Sequence, residues 1–125
     1  MKHGEKSISE RKANSLLADI CRSVDHIAAS RFVEGYAIGL TGNPDTRLKS
    51  YRSVAKGDPV SGFALLAWGM SRELALHIEE GVYKHIKGSK TMSATFSKCN
   101  ERIIQGPYRP SANRKFLQHY LYIIW

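Results

Sequence analysis

Residues 36–51, YAIGLTGNPDTRLKSY, constrain the fold more than any other stretch of this chain. Tyr36, Ile38 and Leu40 alternate with Ala37, Gly39 and Thr41, which is the two-residue period of a strand. Asn43 is a good helix N-cap, Pro44 suits the first helical position, and Asp45 suits the positive end of the helix dipole. A strand, a glycine-bearing turn and a helix are therefore expected in that order. Arg47 and Tyr51 lie four residues apart and share one helix face. An arginine held beside a phenol can grip a phosphate.

The chain of 125 residues, 42% of them hydrophobic, has material for one small core. A single domain spanning residues 1–125 is expected. No apolar run approaches the length of a membrane span. The start, MKHGEKSISER, lacks the apolar centre of a signal peptide. An intracellular, cytoplasmic protein without membrane contact is the expectation. Nineteen Lys and Arg against 11 Asp and Glu give a formal charge of +8, which favours a polyanionic partner, most simply nucleic acid. Neither Cys21 nor Cys99 belongs to a CxxC pair, which argues against a zinc ribbon. The five histidines form no HExxH or other tight ligand pattern, and the TGNP turn is too short for a P-loop.

In chain order, Ser7-Ile8-Ser9-Glu10 reads as a capping box after a frayed residue 1–6 segment. Ala13, Leu17, Ile20, Val24 and Ile27 then mark an amphipathic helix to about residue 29. Residues 31–41 read as the first strand, with Gly35 as a bend or bulge. The helix from Pro44 runs to about Ala55, with Lys49, Arg52 and Lys56 adding positive charge around Arg47. Residues 62–70 carry no charge and read as a buried strand. Ser71 caps a helix whose stripe is Leu74, Ile78, Val82 and Ile86. Glu79 falls on the edge of that stripe, roughly 80° from its centre, where it can reach a cleft between helix and sheet. Glu80 falls on the opposite side and faces water. Residues 91–98 read as a short strand or loop, and 100–115 as a loop that includes the basic residue Arg102. Tyr120, Tyr122 and Ile124 alternate in a final strand within 116–125. The expected fold is α/β (α+β): a small mixed sheet of three to five strands flanked by about three helices.

The run Ala37-Ile38-Gly39-Leu40-Thr41-Gly42-Asn43-Pro44-Asp45-Thr46-Arg47 resembles the second half of the GIY-YIG nuclease signature, a YIG-x-T strand leading to a helix that bears an arginine. Trp68–Glu79 is similar to the family's glutamate-bearing helix, and the Ala-x-x-x-Glu spacing selects Glu79 through Ala75. Cys99-Asn100-Glu101 is similar to a late asparagine segment, with Asn113 as a competing position. About half the chain is covered. Residues 31–125 would form the GIY-YIG-like core and residues 1–30 an N-terminal helical addition.

The resemblance implies a metal-dependent DNA endonuclease. Glu79 would hold one Mg²⁺ or Mn²⁺, and Arg47 would clamp the phosphate. Tyr51 stands where some members have histidine and others tyrosine, as a general base or a water-orienting group. Lys49, Arg52, Lys56, Asn100 and Arg102 would line the nucleic acid. The sequence departs from the signature twice. The YIG tyrosine aligns with Ala37, so either Tyr36 replaces it through the irregularity at Gly35, or this phenol is lost. No GIY half is found near residues 31–33. His119-Tyr120-Leu121-Tyr122-Ile123-Ile124 resembles a GIY-type strand in the wrong place, and a rearranged sheet would bring Tyr120 or Tyr122 to the site. Two alternatives accompany the nuclease: an inactive module on the same scaffold that binds nucleic acid or a nucleotide, and a small basic protein that inhibits another protein. A nuclease cutting both strands would often act as a homodimer.

Overall fold

The computed structural model describes residues 2–54, 61–100, 112 and 115–125, with side chains described outside 2–9 and 52–54. Helix α1 spans Lys2–Ala29. It begins before the expected capping box, so Ser7 lies within the helix. Its inner face buries Ile20, Val24 and Ala28, with Leu17 and Ile27 half-buried beside them. The carbonyls of Ala28 and Ser30 at its C-terminal end accept from Lys98 Nζ, at 2.7 and 3.0 Å. A cation there offsets the negative end of the helix dipole.

Strand β1 is Ala37–Thr41, shorter than the expected 31–41, because the chain turns at 31–35 before entering the sheet. Helix α2 follows at Pro44–Val54, and Asn43 Oδ1 accepts from Thr46 N at 3.1 Å, which is the cap that its position implies. Strand β2 is Phe63–Met70 and helix α3 is Arg72–Gly88. Ser71 Oγ accepts from Leu74 N at 3.2 Å, and Ala75, Ile78, Val82 and Ile86 form the buried face of α3. Residues 94–97, expected in a strand or loop, form a short helix, α4 (Ala94–Ser97), because Ser93 caps it by accepting from Phe96 N. Strand β3 is His119–Ile124.

The strand order is β1-β3-β2, and both pairings are antiparallel. The expected mixed sheet is corrected to this antiparallel one. Among the described residues, the parallel pairing is an isolated bridge between Tyr36 and Cys99. The last strand in sequence is thus the central strand of the sheet. Its two faces differ. Leu121 and Ile123 pair with Leu40 and Ile38 of β1 and with Ala67 and Ala64 of β2, and belong to the core shared with α1 and α3. Tyr120, Tyr122 and Ile124 alternate to the other face, opposite Thr41, Gly39 and Ala37. Architecture of this kind is α+β. Among the described residues no helix is long and apolar enough to cross a membrane.

Candidate active site

Tyr122 pairs with Gly39 on one side and Leu65 on the other, at the middle of the sheet. A Cβ at Gly39 would overlap the phenol of Tyr122, so only glycine leaves the ring room to lie across β1. The other side of the ring is held by Phe63, stacked at 5.3 Å between centroids and 15° between planes. Tyr51 reaches down from α2 and meets Tyr122 edge-on, with ring centroids 6.0 Å apart. The two phenol oxygens are 2.8 Å apart and either can donate. Tyr122 is 3% exposed and Tyr51 is half-buried, so the pair sits at the mouth of a desolvated spot.

Burial is the main cause that raises the pKa of the Tyr122 phenol above its ordinary value, and the hydrogen bond with Tyr51 adds to it. Two charged groups act on the same phenol in opposite senses: Arg47 lowers the value and Glu79 raises it. Arg47 is exposed on α2 one turn before Tyr51, and Glu79 is half-buried on the flank of α3. Three of the residues singled out from sequence thus act on the phenol of a fourth, Tyr122: Tyr51 by direct contact, and Arg47 and Glu79 through their charges. The four come from two helices and the central strand, on both sides of β2 in sequence.

At neutral pH the raised Tyr122 phenol is protonated. Two phenols with one hydrogen bond between them leave one O–H to donate outward. The guanidinium supplies up to five further donors. The donor that Glu79 offers a cation is hard: one carboxylate. Among the described residues no three His, Cys, Asp or Glu side chains cluster for a metal. One carboxylate fits an ion of the Mg²⁺ type, which keeps several waters and takes further oxygens from a bound phosphate.

Tyr36 is not part of this site. It lies on the opposite face of the sheet edge, 4% exposed, and its hydroxyl donates to the carbonyl of Thr95. Strand alternation is the reason: Tyr36 has the parity of Ile38 and Leu40, which face the core. Ala37, not Tyr36, has the parity of Gly39 opposite Tyr122. Burial raises the Tyr36 phenol, with Cys99 and Asp25 adding to the effect. Asn100 donates its backbone N–H to Tyr36 O at 2.9 Å, which fixes it at the outer edge of β1, away from the edge paired with β3. Lys49 is exposed on α2, two residues from both Arg47 and Tyr51, so it points about 200° away from them. Arg52 belongs to α2, but its side chain lies outside the described residues, as do Lys56 and Arg102.

Phe63 and Gly39 position Tyr122, and neither was singled out from sequence for that role. Gly39 carried a readable signal, since a glycine inside a strand often marks a close approach by a neighbour. Phe63 carried none, because its face depends on the pairing with β3. A separate cavity of about 300 Å³ is lined by His26, Ile27, Phe32 and Trp125, among others, and holds none of the four clustered groups. No protein-family model, curated protein or solved structure matches this chain.

Proposed function

We propose that this protein is a metal-dependent DNA endonuclease of GIY-YIG-like type, with Arg47, Tyr51, Tyr122 and Glu79 as its site. The observation that carries the reading is the meeting of the Tyr51 and Tyr122 hydroxyls at 2.8 Å beside groups of both charge signs. In the signature the tyrosine-bearing GIY strand precedes the YIG strand. Here the residues similar to it come last in the chain, yet β3 occupies the place next to β1. This adjacency of the two tyrosine-bearing segments supports the reading despite the different order in the chain.

Each residue has a task that follows from its place. Arg47 donates to the phosphate and offsets charge that develops on its oxygens. Tyr122, protonated and fixed between Gly39 and Phe63, is a donor with little freedom to move. Tyr51 shares its proton network and orients a water toward phosphorus. Glu79 would hold Mg²⁺ or Mn²⁺, which when bound polarises a phosphate oxygen and acidifies a coordinated water. The charge of +8 draws the polyanion to the protein.

A second reading is a module that binds nucleic acid without cutting it. The placement of Tyr36 favours it, because the site then has a phenol fewer than the signature. Cleavage of supercoiled plasmid and of single-stranded circular DNA separates the two. With Mg²⁺ or Mn²⁺ the wild type cuts at least one of them, and Glu79→Ala or EDTA abolishes cutting. DNA binding that survives chelation, with no cutting under any condition, supports the module instead.

A further inference from the structure

We propose that the site takes an unpaired polynucleotide strand, and that Trp68 on β2 stacks against one of its bases. The inference rests on the reading of the Tyr51–Tyr122 site as a place for phosphates, and it adds the substrate's form. Phe63 and Leu65 share the face of Tyr122, since Leu65 pairs with Tyr122 and Phe63 stacks on its ring. Simple alternation would continue that face through Ala67 and turn Trp68 inward. The strand does not alternate simply. Its register shifts between Leu65 and Ala67 and again between Ala67 and Met70. Ala67 and Met70 are both buried as a result, at 4% and 2%, and Trp68 is turned out at 68% exposure. Gly69, at φ 63°, supplies the left-handed residue that the second shift requires. Bulges re-aim side chains in this way, and here the one re-aimed is the largest side chain available.

The outcome is a row on the site face of an edge strand: Phe63 under Tyr122, then Leu65 at 38% exposure, then Trp68. The bulged run from Leu65 to Met70 faces only Tyr122 to His119, about 10 Å of β3, so Trp68 lies less than that along the strand from the partner of Tyr122. An exposed flat aromatic face on the side of the sheet that carries Tyr122, on a chain of charge +8, is matched by a strand that offers phosphates and bare bases together. Duplex DNA presents the phosphates but keeps the faces of its bases stacked. That complementarity selects an unpaired strand over duplex, and over a second copy of this basic chain.

Binding in EDTA tests this without reference to cutting. Fluorescein-labelled oligonucleotides of one sequence are titrated as single-stranded DNA, single-stranded RNA and duplex DNA. The expected result is at least tenfold tighter binding of an unpaired strand than of duplex, with the DNA and RNA arms showing which sugar is preferred. Trp68→Ala, whose fold is checked by circular dichroism, loses about tenfold in affinity for the unpaired strand and little for duplex. Trp68→Phe keeps most of the affinity but loses the quenching of tryptophan emission, although Trp125 remains. Equal binding of duplex, no binding by wild type, or unchanged unpaired-strand affinity in Trp68→Ala overturns the inference. Glu79-dependent cutting would still stand in those cases, and base stacking would stand if no cutting were found.

Discussion

The hydroxyls of Tyr51 and Tyr122, 71 residues apart in the chain, lie 2.8 Å from each other where α2 meets the central strand. This bond ties a helix that carries positive charge to the strand that organises the sheet. Tyr51→Phe and Tyr122→Phe each remove it, at an expected cost of about 1 kcal/mol. The double variant should cost less than the sum of the singles, by about 0.5–1.5 kcal/mol, because both delete the same bond. Urea unfolding of the four proteins measures the coupling, and additive costs would mean that the bond does not form in solution.

Gly39 should accept no side chain. Alanine there meets the Tyr122 ring, which Phe63 and its own burial prevent from moving freely. Gly39→Ala is expected to destabilise by about 1–3 kcal/mol and to reduce cutting by displacing the phenol. A variant as stable as wild type would show that the ring has room that the structure denies it.

Arg47→Ala should reduce the cutting rate by about 10²–10³ at saturating DNA, the range for loss of one donor to developing charge. Arg47→Lys should recover only part, since an ammonium cannot reproduce the planar fork. Single-turnover rates on a labelled substrate make the comparison. A loss of affinity alone, with the rate intact, would reduce Arg47 to a general attractor of DNA.

Much of this arrangement was legible from local rules. The cap at Asn43, the cap at Ser71 and the stripe Leu74, Ile78, Val82 and Ile86 follow from short-range chemistry and helical period, and the structure has all of them, with Leu74 half-buried against the core. Glu79 at the edge of that stripe was a matter of angle alone. What local rules do not carry is pairing. The place of β3 between β1 and β2 depends on contacts across most of the chain, so the alternation of Tyr120, Tyr122 and Ile124 shows a strand but not its central position. The face of Tyr36 turned on a one-residue register. Trp68 turned on two shifts of register; Gly69, a glycine inside the strand, hints at the second, and nothing in residues 62–67 hints at the first. The helix at Ala94–Ser97 was missed because four residues are too few to show a period.

The far side of the fold has its own signature in pH. Burial pushes the Cys99 thiol up from about 9.0 to about 11, although hydrogen bonds with Tyr36 and the Asn100 backbone pull the other way. Between those values the unfolded chain has lost this proton while the folded chain keeps it. Stability therefore holds below about pH 9 and falls as pH rises toward about 11. Urea midpoints from pH 8 to 11 should show this decline, and Cys99→Ala should make it shallower, leaving the part that the raised Tyr36 and Tyr122 contribute above about pH 10. A decline of equal slope in Cys99→Ala would assign it to the raised tyrosines, Tyr36 and Tyr122.

The most direct test of the site is the cutting of DNA by Tyr122→Phe, which deletes one oxygen at the point where α2 meets the central strand. Wild type and variant, matched for fold by circular dichroism, are incubated with plasmid and with single-stranded circular DNA in the presence of Mg²⁺. The account predicts that wild type cuts, that EDTA stops it, and that Tyr122→Phe is folded but inactive. Undiminished cutting by Tyr122→Phe would contradict it, because the phenol at the centre of the site would then have no part in the reaction.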